Sequence, residues 1–312
     1  MSAGQWLEWF IRQTISGLTL GGVYALIALG YSLVYGVLRL INFAHGDVYM
    51  VGAVVAFWAA RRLGWSQSAN DLVSPQVTLA MLFIAILACV LLGYVIERFA
   101  YRPLRKAPRL NSLITAIGVS FLLENIFQLQ AVFGASPRGF PETRLPISVV
   151  KIGGYDLRFE QFLILGGTVF FLMVCRYVIL HTRVGLGIRA TSFHHDYARL
   201  MGVNVNRITS LTFVIGSALA AIAGVFVGMY QHQCDPLMGV NYGLKAFTAA
   251  VVGGIGNLAG AVLGGFIMGL SETYIAGSRF SDYRDAFAFV LLILILLVRP
   301  GGLLGSVAPE KV

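Results

Sequence analysis

Residues 13 to 38 contain no charged side chain, and the run is bracketed by Arg12 and Arg39. A helix needs about 20 apolar residues to cross the hydrocarbon core of a bilayer, so this run reads as one tilted crossing. Comparable runs follow at 77–96, ending at Glu97 and Arg98, at 110–133, broken by Glu124, and at 160–180, 208–230 and 285–298. Residues 46–60 are apolar after Asp47 but short for a full span. Residues 242–276 are apolar except for Lys245 and Glu272 and contain Gly253-Gly254-Ile255-Gly256-Asn257 near their middle. Such a glycine cluster punctuates a helix, which predicts two short helices meeting at a turn.

Composition excludes the alternative of a large soluble core. Charged residues are 12% of the chain against 57% hydrophobic, whereas soluble domains carry about 25% charged residues. The expected fold is all-α: a polytopic transmembrane helix bundle of about eight to nine spans, forming a single domain over 1–312. The net charge of +9 then reads as membrane orientation rather than nucleic-acid binding. The 98–109 segment holds Arg98, Arg102, Arg105, Lys106 and Arg109 and no acid, and 181–207 holds Arg183, Arg189, Arg199 and Arg207 against Asp196. Both are expected to be cytoplasmic. The mixed segment 134–159, with Arg138, Arg144, Lys151 and Arg158 beside Glu142 and Asp156, falls outside. Counting crossings puts the N-terminus outside and the C-terminus inside, and no secretory pattern marks the start.

Two organising patterns accompany the spans. The order of long and short runs at 13–38, 46–60, 77–97 and 110–133 resembles that at 208–230, 242–256, 258–276 and 285–298, in the opposite direction. Inverted repeats with broken helices at matching positions are typical of transporters. Small residues four apart also let helix backbones approach closely in lipid. Gly17 and Gly21, Gly224 and Gly228, and the ridge of Gly256, Gly260 and Gly264 beside Gly265 and Gly269 have this spacing. Gly253, Gly254, Gly256, Gly260 and Gly264 are therefore expected to pack helices, with a moving seam as the functional alternative.

A charge at the centre of a span costs about 2.5–3.5 kcal/mol, so intramembrane polar residues are functional candidates. The densest group is Asn42-Phe43-Ala44-His45-Gly46-Asp47, at the entry to the short 46–60 run. Asp47 there also suits the positive end of a helix dipole. Glu124 and Asn125 lie well inside a span, with Lys245 a possible partner for Glu124. Asn42, His45, Asp47, Glu124 and Asn125 are the candidate pathway residues. Glu272, near a span end, is expected to be wetted.

The cytoplasmic stretch from Arg183 to Val203 is the second region of interest. From Ser192 it reads as a short helix, begun by a serine cap and closed by Gly202. Phe193, Tyr197 and Leu200 or Met201 recur at helical spacing. Such a helix either lies on the membrane surface or serves as a docking knob for a cytoplasmic partner. His194 and His195 are adjacent and point in different directions, which disfavours a shared zinc site. Cys89, Cys175 and Cys234 are scattered, which favours neither a disulfide framework nor a metal site. There is no GxxxxGK[ST], no HExxH and no GxSxG, and Ala44 spoils a GxGD protease motif at Gly46-Asp47.

The run from Gly30 to Ala53, Gly30-Tyr31-Ser32-Leu33-Val34-Tyr35-Gly36-Val37-Leu38-Arg39-Leu40-Ile41-Asn42-Phe43-Ala44-His45-Gly46-Asp47-Val48-Tyr49-Met50-Val51-Gly52-Ala53, resembles the signature of bacterial ABC-importer permeases for branched-chain amino acids. Specifically it resembles the smaller of their two permease subunits, the LivH type. Arg189-Ala190-Thr191 to Gly202-Val203, Gly253 to Ala261 and Arg299-Pro300-Gly301-Gly302-Leu303-Leu304-Gly305 agree in the same order. The resemblance implies a multi-pass protein of the bacterial inner membrane. It would pair with a second homologous permease and two cytoplasmic ATP-binding subunits, and receive solute from an extracytoplasmic binding protein, with no role for nucleic acid. ATP and Mg would be bound by those partners, with no cofactor on this chain, which is a transport subunit and not an enzyme. The loop 182–207 would hold the coupling helix, with Ser192, Phe193, His194, Asp196, Tyr197, Arg199 and Gly202 as contacts. Urea and short-amide importers share close relatives of this permease, and a stand-alone secondary transporter using Glu124 is the rival outside the family.

Overall fold

The computed structural model describes residues 3–66, 72–143, 150–152 and 155–305. Arg144, one of the basic residues of the 134–159 segment, lies outside the described residues. The elements are α1 (Ala3–Leu38), α2 (His45–Arg62), α3 (Pro75–Val95) and α4 (Arg109–Gln128), then α5 (Phe159–His181), α6 (Arg183–Phe193), α7 (His195–Leu200) and α8 (Val205–Gln231), and finally α9 (Met238–Gly253), α10 (Leu258–Ala276) and α11 (Arg284–Val298). The chain is a multi-pass, predominantly helical membrane protein. Six of these helices are long and apolar enough to cross a bilayer: α1, α3 with its extension to Tyr101, α4, α5, α8 and α10. The helices α2, α9 and α11 are shorter, at 18, 16 and 15 residues.

Burial separates a core from a shell. The most apolar window of α1 is 94% buried, against 22% in α4 and in α5, so α1 sits inside the bundle. The outer face of α3 presents Leu79, Phe83, Leu87 and Leu91, four residues apart and exposed. A stripe of that kind has no place in water, and lipid satisfies it.

Where α1 meets α10 the backbones nearly touch. A Cβ on Gly21 would lie 2.9 Å from Phe266 Cα, and one on Gly269 would lie 2.2 Å from Gly21 N. Gly17 faces Leu270 and Gly21 faces Phe266, so the two helices run antiparallel. The helix α8 packs on α1, α2 and α3, and α9 packs on α10, α1 and α2.

The two short helices start inside the bundle. Between α1 and α2 the chain turns back, and His45 packs against Gly30, where a Cβ would lie 2.3 Å from its Nε2. Gly30 is eight residues before the end of α1, so α2 begins roughly 12 Å inside that end. The 242–276 stretch breaks at Gly254, which takes a φ of +109° that only glycine adopts freely. The C-terminal segment seals this break: Leu303 N donates to Val252 O and Leu304 N to Gly253 O, each at 2.9 Å.

One end of the bundle gathers both basic loops. Arg39, just after α1, donates to Ser192 O at 2.9 Å. Arg105, in the short 3-10 turn Pro103–Lys106, pairs with Glu97 and bonds Asn206 of α8. The opposite end carries a small antiparallel ladder between β1 (Arg138–Gly139) and the Gln233–Cys234 strand, with Arg138 opposite Cys234. The three cysteines are buried and unpaired.

Candidate functional site

The first turns of α2 and α9 meet inside the bundle. A Cβ on Gly46 would lie 2.5 Å from Gly239 O, and one on Gly239 would lie 2.8 Å from Asp47 Oδ1. Two helix starts can come this close only because glycines line the crossing. The positive dipole ends of two helices thus point at one region, where negative charge is favoured, while first-turn N–H groups such as His45 N and Met238 N bond back to Asn42 O and Asp235 O.

Asp47 stands at this crossing and is buried. The Ser120 hydroxyl of α4 donates to its Oδ2 at 2.5 Å and lies 3.5 Å from Glu124 Oε1. Ser120 thus joins two carboxylates that the sequence placed in separate spans. Asp47 Oδ1 and His45 Nε2 are buried with no hydrogen-bond partner. The His45 ring meets Tyr31 edge-on with centroids 4.8 Å apart. Asn42 accepts a 2.7 Å bond from the Tyr101 hydroxyl. Asn125 is apart from this group: it is exposed and its amide donates to Phe121 O within its own helix.

Two expectations about charge need correction. Lys245 does not pair with Glu124. Its Nζ lies 2.6 Å from Glu272 Oε1 and 2.7 Å from Asp285 Oδ1, because α9 packs on α10 and α11. Glu272 is not wetted but buried, and its second oxygen accepts a 2.6 Å bond from the Tyr24 hydroxyl. The group ties α1, α9, α10 and α11 together. Asp285 and Tyr24 were missed because an acid at a span end and a tyrosine in a core carry no signal in sequence. Glu97 was likewise read as the end of a crossing. It is fully buried in a π-helical continuation of α3, held by Arg105 and by Ser210 Oγ at 2.5 Å.

At the basic end, the helix expected from Ser192 starts later. Ser192 belongs to α6, where its hydroxyl donates back to Ile188 O at 2.8 Å. The cap of α7 is His194, whose Nδ1 accepts from Asp196 N at 3.3 Å and Tyr197 N at 3.5 Å. Its ring also stacks on Tyr197 with centroids 4.2 Å apart. Serine prevails at caps on average, but here it bonds within the preceding helix. The helix closes at Gly202, whose φ is +83°. Asp196 and Arg199 form an exposed ion pair at 3.7 Å. Phe193, Leu200 and Met201 are 87%, 82% and 86% exposed. His195 anchors the helix underneath, with Nε2 2.8 Å from Val37 O.

The glycines of the α9–α10 turn pack against backbone. A Cβ on Gly253 would lie 1.9 Å from Gly260 O, on Gly264 2.0 Å from Ala249 O, and on Gly254 2.4 Å from Gly305 N. Gly256 has φ +90°.

A lipid-facing shell, two helices that start inside the bundle and a short helix with exposed apolar side chains at its basic end make this a polytopic membrane protein of the kind that transporters are built from. A model of the family described as branched-chain amino acid transport system, permease component, matches residues 13–296. The chain is 43% identical over 307 residues to the high-affinity branched-chain amino acid transport permease BraD of Pseudomonas aeruginosa, covering 97% of this chain and 98% of that one. It is 39% identical over 319 residues to LivH of Escherichia coli, covering 97% and 98%, and 40% identical over 313 residues to LivH of Salmonella typhimurium, with the same coverage. The chain belongs to this permease family, and it is a transport component, not an enzyme.

Proposed function

We propose that this chain is a membrane-spanning permease subunit of an ATP-binding cassette importer that carries branched-chain amino acids across the bacterial inner membrane. It works beside a second homologous permease subunit and two cytoplasmic ATP-binding subunits, which bind the ATP and Mg. An extracytoplasmic binding protein delivers the solute. The substrate follows from BraD and LivH, branched-chain amino acid permeases that match 97% of this chain.

The observation that carries the coupling role is α7. A six-residue helix holds large apolar side chains in solvent at the end of the bundle where the arginine-rich loops lie. Lys and Arg concentrate on the cytoplasmic side, and an apolar patch presented to water marks a docking surface. Phe193, Tyr197, Leu200 and Met201 enter a groove of the ATPase, while His194 and Gly202 shape the helix and Asp196 and Arg199 border it. Energy enters the bundle through the bonds from Arg39 to Ser192 and from His195 to Val37, which tie α6 and α7 to the end of α1.

The crossing of α2 and α9 is the candidate pathway, with Asn42, His45, Asp47 and Glu124 beside it. The chain forms one transmembrane domain of about eight to nine spans, organised as an inverted repeat. The packing supports that organisation. Exchanging α1 with α8, α2 with α9, α3 with α10 and α4 with α11 turns the α1–α10 contact into α8–α3, α2–α3 into α9–α10, and α2–α4 into α9–α11, all of which exist.

Deleting residues 193–202 tests the coupling role. The assembled importer is expected to keep its size and helicity but to lose uptake and substrate-stimulated ATP hydrolysis. Normal uptake by the deletion would overturn it.

A further inference from the structure

At the end of the bundle opposite α7, three side chains from separate segments converge. Glu142 follows β1, Glu160 lies in the first turn of α5, and His232 closes α8. Each offers a ligand atom, and these atoms all lie within 4.8 Å of one another. His232 Nδ1 is 3.4 Å from Glu142 Oε1, and its Nε2 is 3.8 Å from Glu160 Oε2. His232 Nδ1 is shielded from solvent and makes no hydrogen bond. Glu160 is 14% exposed.

The backbone holds this group in place. Gly139 pairs with Gln233 in the β1 ladder, Phe140 N donates to His232 O at 2.9 Å, and Val73 N donates to Glu142 O at 2.8 Å. The positions of Glu142 and His232 are therefore set before any ligand arrives. Arg158 and the backbone of Thr143 also face Glu160. The two carboxylates and Arg158 sum to one negative charge, and the negative end of the α8 dipole adds to it.

We propose that Glu142, Glu160 and His232 form a binding site for a divalent transition-metal cation on the outer face of this protein. One imidazole nitrogen with two carboxylates is a ligand set for zinc, three protein donors leaving a fourth position for water. Calcium and magnesium prefer all-oxygen sets. Zinc holds such ligands at about 2.0–2.2 Å, so tetrahedral donors sit ~3.4 Å apart. Nδ1 and Glu142 already stand at this spacing, whereas Glu160 faces the other ring nitrogen, and its side chain turns toward Nδ1 to complete the set. A bound cation clips the start of α5 and the 138–143 segment to the end of α8, at the mouth of the bundle.

Calorimetric titration of the chelator-treated full chain in nanodiscs with zinc chloride tests this. One equivalent is expected to bind and to raise the melting temperature. His232→Ala, Glu160→Gln and Glu142→Gln are each expected to weaken binding at least tenfold. Glu142→Gln, at a half-exposed side chain, should melt as the parent does without zinc. Absence of a binding heat for the parent overturns the site. So does undiminished binding by the three variants, which would place the ion elsewhere, for example on Cys234.

Discussion

Lys245 and Glu272 form a 2.6 Å ion pair between α9 and α10 inside a helix bundle that faces lipid. Tyr24 and Asp285 complete it from α1 and α11. Removing one partner of a buried pair leaves an uncompensated charge, at a cost of about 3–5 kcal/mol. Lys245→Met is therefore expected to lower the melting temperature of the purified permease sharply. Lys245→Met with Glu272→Gln should recover much of the loss, because the second change removes the stranded charge. A double-mutant cycle by thermal unfolding measures the coupling, and additive effects would contradict the pairing.

His194→Ala removes the cap of α7. A side-chain cap contributes about 0.5–2 kcal/mol, enough to unravel a helix of six residues but not the bundle. The expected outcome is an unchanged melting temperature with several-fold weaker ATPase stimulation in the assembled importer. His194→Asn, which also accepts from backbone N–H groups, should restore most of it.

Gly46→Ala inserts a methyl at the crossing of α2 and α9, 2.5 Å from Gly239 O. Backbone has to move, and overpacking of this kind costs about 1–3 kcal/mol. Reduced stability is expected, together with an uptake defect larger than that of Gly118→Ala, whose Cβ meets nothing within 4 Å. Equal behaviour of the two variants would remove the crossing from the pathway.

Ser120 links Asp47 to Glu124. Glu124→Gln keeps size and hydrogen bonding while removing a charge, so expression and melting should stay near those of the parent. A drop in uptake of tenfold or more is expected if the carboxylate lines the pathway. Radiolabelled uptake in proteoliposomes reads it, and unaltered uptake would exclude Glu124.

The membrane class, the helical fold and the break at Gly254 were legible from the sequence, because each rests on local chemistry. Charge-free runs demand lipid, basic loops share one side, and a glycine cluster cannot continue a helix. The short helix near Phe193 was legible for the same reason, through its apolar spacing next to polar neighbours. Its cap was not, because Ser192 and His194 are both able to cap and only the path of α6 decides between them.

Tertiary structure alone decided which charges meet. Lys245 is nearer in sequence to Glu272 than to Glu124, but on an apolar helix either could lie on the facing surface. The choice depends on the rotation of α9 against α10 and α11, which is set by packing over the whole bundle. The burial of Glu97, the bridge from Ser120 to Asp47 and the meeting of Glu142, Glu160 and His232 are of the same kind. Each joins residues from segments far apart in the chain. Hydrophobicity along one chain determines where it enters lipid, whereas pairing across helices depends on where every other helix lies.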